Sequence, residues 1–286
     1  VVGAFFYEQA VPAAEMNGIL AIGVPMVCSL LGSLLMGLLY CLLTVTLRAN
    51  QNVTGLAMTT FGVGIGNFFG GSLIKLTNAE VPSITLSATS KVFSTYLPFA
   101  DSCGWFGKMF LSYGFLAYLS VVLAVITAYV IKKTRVGLNL RAVGENPATA
   151  DSAGINVNRY KYIATCVGSM IAGLGGLYYV LDYNQGIWAT TGQIEALGWL
   201  AVALVIFTTW KPLNAIWGAY LFGVLYWLYQ FLPSLLGITV ASYMTDLIQM
   251  LPYVVTIVVL IVVSLRKKKE NQPPEHLGLS YFREER

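Results

Sequence analysis

Charge is scarce in this chain. Asp, Glu, Lys and Arg make up 10% of its 286 residues, whereas a soluble domain carries about 25%. Histidine is scarcer still: the single one, His276, lies near the C-terminus, so a histidine-based metal or catalytic site has no material. Of the four cysteines, Cys28, Cys41 and Cys166 fall in apolar stretches and Cys103 stands apart. That spacing gives neither a disulfide framework nor a metal set. No Gly-x4-Gly-Lys-Ser/Thr occurs, which excludes a phosphate-cradling P-loop. No Ser/His/Asp set or deaminase pattern occurs either. The expectation is a polypeptide that performs no covalent chemistry and binds no cofactor of its own.

Apolar residues are what the chain has instead. They make up 57% of it, and the mean hydropathy is +0.70. Runs of about 20 apolar residues, enough to cross a ~30 Å hydrocarbon core, recur along the whole length. The expected spans are residues 19–47, 53–74, 109–131, 160–181, 194–209, 213–236 and 247–265, with 1–7 as the tail of one more. The fold class expected is therefore all-α: a polytopic membrane protein of about seven complete transmembrane helices plus an N-terminal remnant, forming one permease-like domain over residues 1–286. No cleavable signal peptide is visible. The chain opens in mid-pattern without an initiator Met, so a preceding piece is expected.

Basic residues set the orientation. With the tail placed in the cytosol and the spans alternating, fourteen of the 17 Lys and Arg fall inside and only Lys75, Lys91 and Lys108 outside. The acids divide almost evenly, as the positive-inside rule allows. The net charge of +4 thus reflects membrane topology, and no nucleic-acid surface is read from it.

Within these spans no Asp, Glu, Lys or Arg sits in mid-membrane; Asp182 and Glu195 lie near outer ends. Ion-coupled transporters commonly place ionisable residues or broken helices at the midplane, and channels show charged rings or carbonyl filters. The absence favours a neutral solute and an energy source outside the chain. Small and uncharged polar residues remain. Gly62, Gly66 and Gly70 lie four apart, as do Gly168, Ala172 and Gly176, and such ridges let helix backbones approach closely. They serve either static packing or a contact that opens and shuts along a path. Thr60, Asn67 and Phe68 are the candidate lining residues. A buried amide such as Asn67 either bonds a neighbouring helix or faces a passing solute.

Residues 132–161 form the one substantial polar island between spans. Asn146 is an N-cap type, Pro147 suits the first helical position, Ala148 to Ala153 are mostly helix formers, and Gly154 suits a left-handed stop. A helix of about two turns is not stable alone in water, so it needs a partner to pack against. One reading is an ordinary loop with a helical turn. The other is a surface for a soluble partner, with Arg141, Glu145, Asn146, Pro147, Asp151, Ala153 and Gly154 as its candidate residues. Outside the membrane on the other face, residues 77–108 contain TYLPFADSCGWFG, which suggests an interfacial or re-entrant element, a docking surface, or a plain loop with Trp105 at headgroup level. The cytosolic tail, residues 266–286, carries a Lys run that reads as a stop-transfer anchor near anionic lipid.

The island segment LNLRAVGENPATADSAGINVNRYK resembles the cytosolic coupling loop of bacterial ABC importer permeases of the ribose, nucleoside and branched-chain amino acid type. RANQNVTGLAMTTFGVGIGNFFG, GWLAVALVIFTTWKPLNAIWGAYLFG, LPYVVTIVVL and the closing HLGLSYFREER are similar to its nucleoside branch. The resemblance covers essentially the whole chain. It implies a multi-pass subunit of the bacterial cell membrane with a cytosolic C-terminus, paired with a second, different permease. It also implies cytosolic ATPase subunits that carry ATP and Mg, an external solute-binding lipoprotein, and a neutral substrate. The function expected is translocation of a nucleoside. The alternatives are a simple-sugar permease of the same type, an ATPase-independent secondary transporter for a neutral solute, and a membrane scaffold subunit.

Overall fold

The computed structural model describes residues 1–12, 15–77, 83–95, 104, 105, 107, 111–189, 193–236, 250–266 and 272–282. Cys103, Lys108, the run Lys267, Lys268 and Lys269, the start of the span expected from 247, and much of the external segment 77–108 lie outside the described residues. Among the described residues the chain is mostly helical, at 79%. Three of the described helical stretches, Gly18–Thr46, Phe115–Lys133 and Val157–Tyr183, are long and apolar enough to cross a membrane.

Two compact units form. The first comprises Val1–Ser120, Asn139–Gly192 and His276–Arg286; the second comprises Val121–Leu138 and Gln193–Glu275. The first unit opens with α1 (Val2–Ala10), which runs past the remnant expected at 1–7. Next comes α2 (Gly18–Cys41), which starts because the Asn17 side chain accepts from the Ile19 N–H and satisfies one of the orphan donors of the first turn. A π-helical turn, Leu42–Thr46, extends it. Asn50 then begins α3 (Gln51–Thr77): its Oδ1 accepts from Asn52 N at 3.0 Å and Val53 N at 3.2 Å.

The described part of the segment expected to be external is folded in, not laid on the surface. It forms β1 (Ser83–Thr85) and α4 (Ser87–Phe93), in which Thr89, Ser90 and Phe93 are buried. β1 pairs antiparallel with β2 (Ile187–Ala189), Ile84 opposite Trp188. This two-stranded sheet departs from the all-α expectation. Three-residue strands are too short to show an alternating pattern in sequence. Gly186 closes the approach with φ +80°, and its carbonyl accepts from Leu86 N at 2.9 Å.

The helix α5 (Phe115–Lys133) starts later than the expected 109. It leads into α6 (Arg135–Glu145), the short α7 (Pro147–Ser152) and α8 (Val157–Tyr178), which ends in a second π-helical turn, Tyr179–Tyr183. The tightest helix pair in the first unit is α2 on α8. Gly37 leaves room for the Ser169 side chain and Gly173 for that of Ser33. The glycine ridge expected at Gly168 and Gly176 is not this seam, since a Cβ at either would meet open space among the described residues. The contact face is rotated by one residue. On α3, likewise, Gly66 is open, while Gly70 makes room for the Trp188 ring of β2.

In the second unit, α9 (Gln193–Phe207), α10 (Pro212–Leu236) and α11 (Leu251–Arg266) pack together. The Phe207 and Phe222 rings meet edge-on at 5.2 Å. Gly218 lies so close to Thr208 and Leu204 that a Cβ there would collide.

Candidate coupling and translocation sites

α7 is built from its own sequence. Asn146 adopts an extended backbone, and its Oδ1 accepts from Thr149 N at 2.9 Å. Pro147 occupies the first turn, where its missing N–H costs nothing. The helix stops at Ala153, and Gly154 follows with φ +82°, a conformation that a residue with a Cβ adopts only at a cost. Pro147 and Ala150 face inward, while Ser152, Ala153 and Gly154 are exposed.

Beneath α7 lies a small apolar platform. Val143 of α6, Ala150 of α7 and Val157 of α8 form its buried centre, with Ala142, Ile155, Tyr160 and Tyr281 packed around them. Asn139 Nδ2 donates to the Tyr160 hydroxyl at 2.8 Å and ties α6 to α8. Apolar burial of this kind supplies the stability that two helical turns lack. Of the residues picked from sequence, Asn146, Pro147, Asp151, Ala153 and Gly154 are thus brought onto one element. Arg141 and Glu145 are exposed on the neighbouring α6.

Sequence reasoning missed the tail. Residues 276–282 return to the platform. Tyr281 donates its hydroxyl to Asp151 Oδ2 at 3.0 Å, and His276 N donates to the Gly144 carbonyl at 3.0 Å. The signal available was two aromatics, Tyr281 and Phe282, in a polar tail beyond the last span.

The three lining candidates lie on α3. Thr60 and Asn67 are seven residues apart, two turns, and so share a face; both are exposed. Phe68 is 69% exposed and meets Phe69 edge-on at 5.5 Å. The Thr60 hydroxyl donates to its own helix at Leu56 O, 3.3 Å away, which lets a hydroxyl exist in an apolar setting without another helix.

Toward the other end of the first unit, Glu8 Oε1 accepts from Thr89 N at 2.6 Å and anchors α4 on α1. Ser90 Oγ donates to Leu181 O at 2.8 Å. Gly114 has room only for a hydrogen, because the Asp182 carboxyl and the Phe93 carbonyl occupy the place of a Cβ. In the second unit an open cavity of about 380 Å³ is lined by Phe207, Thr208, Asn214, Trp217, Gly218 and Leu221. Two of its lining side chains bond within the turn, Thr208 Oγ1 donating to Val205 O and Asn214 Nδ2 to Thr208 O. Among the described residues no group of three His, Cys, Asp or Glu could hold a metal ion.

The sequence matches the family described as branched-chain amino acid transport system / permease component over residues 1–263. The chain belongs to this family. As a permease with long apolar helices it is a multi-pass membrane protein. Its relatives include a provisionally named glucose ABC transporter permease of Haloferax volcanii, 30% identical over 75% of this chain and 61% of the relative. A nucleoside ABC transporter permease of Lactococcus lactis is 30% identical over 81% of this chain and 70% of the relative. A guanosine ABC transporter permease of Bacillus subtilis is 31% identical over 68% of this chain and 60% of the relative. The chain thus spans about six to seven tenths of the length of these relatives. No solved structure matches it.

Proposed function

We propose that this permease is the membrane-spanning subunit of an ATP-driven importer that moves a neutral solute, a nucleoside, handed over by an external binding protein. The observation that carries the reading is α7. It is a capped two-turn helix whose inner face is fixed on a platform and whose residues Ser152 to Gly154 are left exposed for a partner. The partner is a cytosolic ATPase that holds ATP and Mg; the permease itself is not an enzyme. ATP closes the ATPase pair, α7 follows, and the spans exchange between outward- and inward-facing states. ATP acts as a ligand with different affinity for the two states. A second, different permease subunit completes the path, with the C-terminus and residues 132–161 in the cytosol. Thr60, Asn67 and Phe68 of α3 line the path, and Arg141, Glu145, Asn146, Pro147, Asp151, Ala153 and Gly154 form the coupling surface.

The nucleoside assignment is supported by the two relatives named for nucleoside and guanosine transport. A simple sugar is the second reading, favoured by the relative named for glucose. The test is uptake of labelled nucleosides, ribose and glucose by cells with and without the gene, with an ATPase-dead control. Nucleoside uptake that needs both the gene and active ATPase supports the proposal. Uptake that persists with the dead ATPase would sink the ATP-driven reading, and sugar uptake alone would replace the substrate.

A further inference from the structure

The tail segment 276–282 grips more than α7. Leu279 O accepts from Gln51 Nε2 at 3.2 Å and from Lys161 Nζ at 3.4 Å. Ser280 Oγ donates to Arg48 O at 3.3 Å. The Arg48 guanidinium stands 4.9 Å over the Phe282 ring, within cation–π reach. Arg48 itself has φ +55°, an uncommon conformation for a residue with a Cβ, and the tail holds both its carbonyl and its side chain. Two residues beyond Leu279, Tyr281 bonds Asp151 and its ring joins the platform under α7.

The segment therefore has one hold on α7 and three on residues 48–51, where α3 begins. Leu279 and Tyr281 are two residues apart, a reach of about 7 Å at full extension, so little slack separates these holds. Packing offers a less direct route, since α7 rests on α8, α8 on α2, and α2 on α3. We propose that residues 276–282 act as a transmission strap that ties α7 to the N-terminal end of α3. Movement of α7 is passed through it to the helix that carries Thr60 and Asn67. Tyr281 is a positioning residue in this scheme and touches no solute. The inference rests on the reading of α7 as the ATPase contact only for the source of the motion.

Tyr281→Phe tests the strap, because it keeps the ring in the platform and removes only the bond to Asp151. Hydrogen exchange of the full chain in nanodiscs is compared for wild type and variant. Loss of one such bond is expected to raise exchange by about threefold or more both in α7 and in the first turns of α3. A change confined to α7 makes the tail a local prop, and no change removes its role; either overturns the proposal. The second arm uses the assembled importer in nanodiscs. There, Tyr281→Phe is expected to leave ATPase association and basal hydrolysis intact and to lose most of the stimulation by the loaded binding protein. Full stimulation in the variant overturns the proposal. A wild-type assembly with no ATPase association would instead sink the coupling reading, and the exchange experiment still decides whether the strap ties α7 to α3.

Discussion

The Ser29 hydroxyl on α2 donates to the Gly173 carbonyl on α8 at 2.8 Å. A Cβ on Gly173 would meet the Ser33 side chain and, at 3.2 Å, the Ser29 carbonyl. One turn toward the π-helical end of α2, Gly37 repeats the arrangement with Ser169. Close backbone approach, not bulky interdigitation, thus holds α2 to α8, the packing mode expected where lipid removes the hydrophobic drive between helices. Gly173→Leu must push the two backbones apart, with an expected cost of about 1–3 kcal/mol, seen as a lower thermal midpoint of the purified chain in detergent. Gly176→Leu, whose Cβ meets open space, is expected to leave that midpoint nearly unchanged. Equal losses in both variants would show that the seam is elsewhere.

The α7 caps give a second expectation. Asn146→Ala removes the acceptor for Thr149 N and is expected to cost about 1 kcal/mol of local stability. Gly154→Val forces a β-branched residue into φ +82° at a further ~1–2 kcal/mol. Both variants are expected to insert normally and to retain less ATPase on co-purification. Wild-type association in the Asn146→Ala, Gly154→Val double variant would argue against a coupling role for α7.

α7 was legible in sequence because its signals are local. Asn146, Pro147 and Gly154 each act on a neighbour within three residues. The α2–α8 seam was not legible in the same way. Small residues occupy both the 168/172/176 and the 169/173 registers of α8. One residue of offset is a rotation of about 100°, and only the facing helix decides between them. The strap carried no period: its main-chain groups at His276 and Leu279 make some of the bonds and are the same in every residue, while the side chains of Ser280, Tyr281 and Phe282 make the rest with partners far away in sequence. The folding-in of α4 depended on Glu8 reaching Thr89 across 81 positions, which no local pattern encodes.

Orientation is tested by a single cysteine. The proposed orientation puts Ser152 in the cytosol, and its side chain is exposed on α7 in the chain by itself. In Ser152→Cys, an impermeant thiol reagent is expected to label position 152 only after the cells are opened. The native cysteines are replaced first, because Cys28 is exposed in this chain. Labelling in sealed cells would invert the topology and move α7 to the wrong side for an ATPase.

The proposed solute rests on what α3 presents. Thr60 and Asn67 offer a hydroxyl and an amide, Phe68 offers a ring face, and all three are exposed on one helix. A nucleoside needs a π-face for its base and neutral hydrogen-bond partners for its ribose. A nucleotide or charged amino acid brings a charge that finds no counter-charge on α3 between Gln51 and Ile74, and an unpaired charge away from water costs several kcal/mol. Nucleosides are therefore expected to compete for uptake, and nucleotides and charged amino acids are not. Asn67→Leu separates lining from packing. If Asn67 faces the path, the variant complex assembles normally and its uptake falls by about tenfold, the loss of one buried hydrogen bond to solute. If Asn67 only bonds a neighbouring helix, assembly itself is lost. Equal competition by nucleotides and nucleosides, measured in the whole transporter, would remove the neutral-solute argument whatever the variant does.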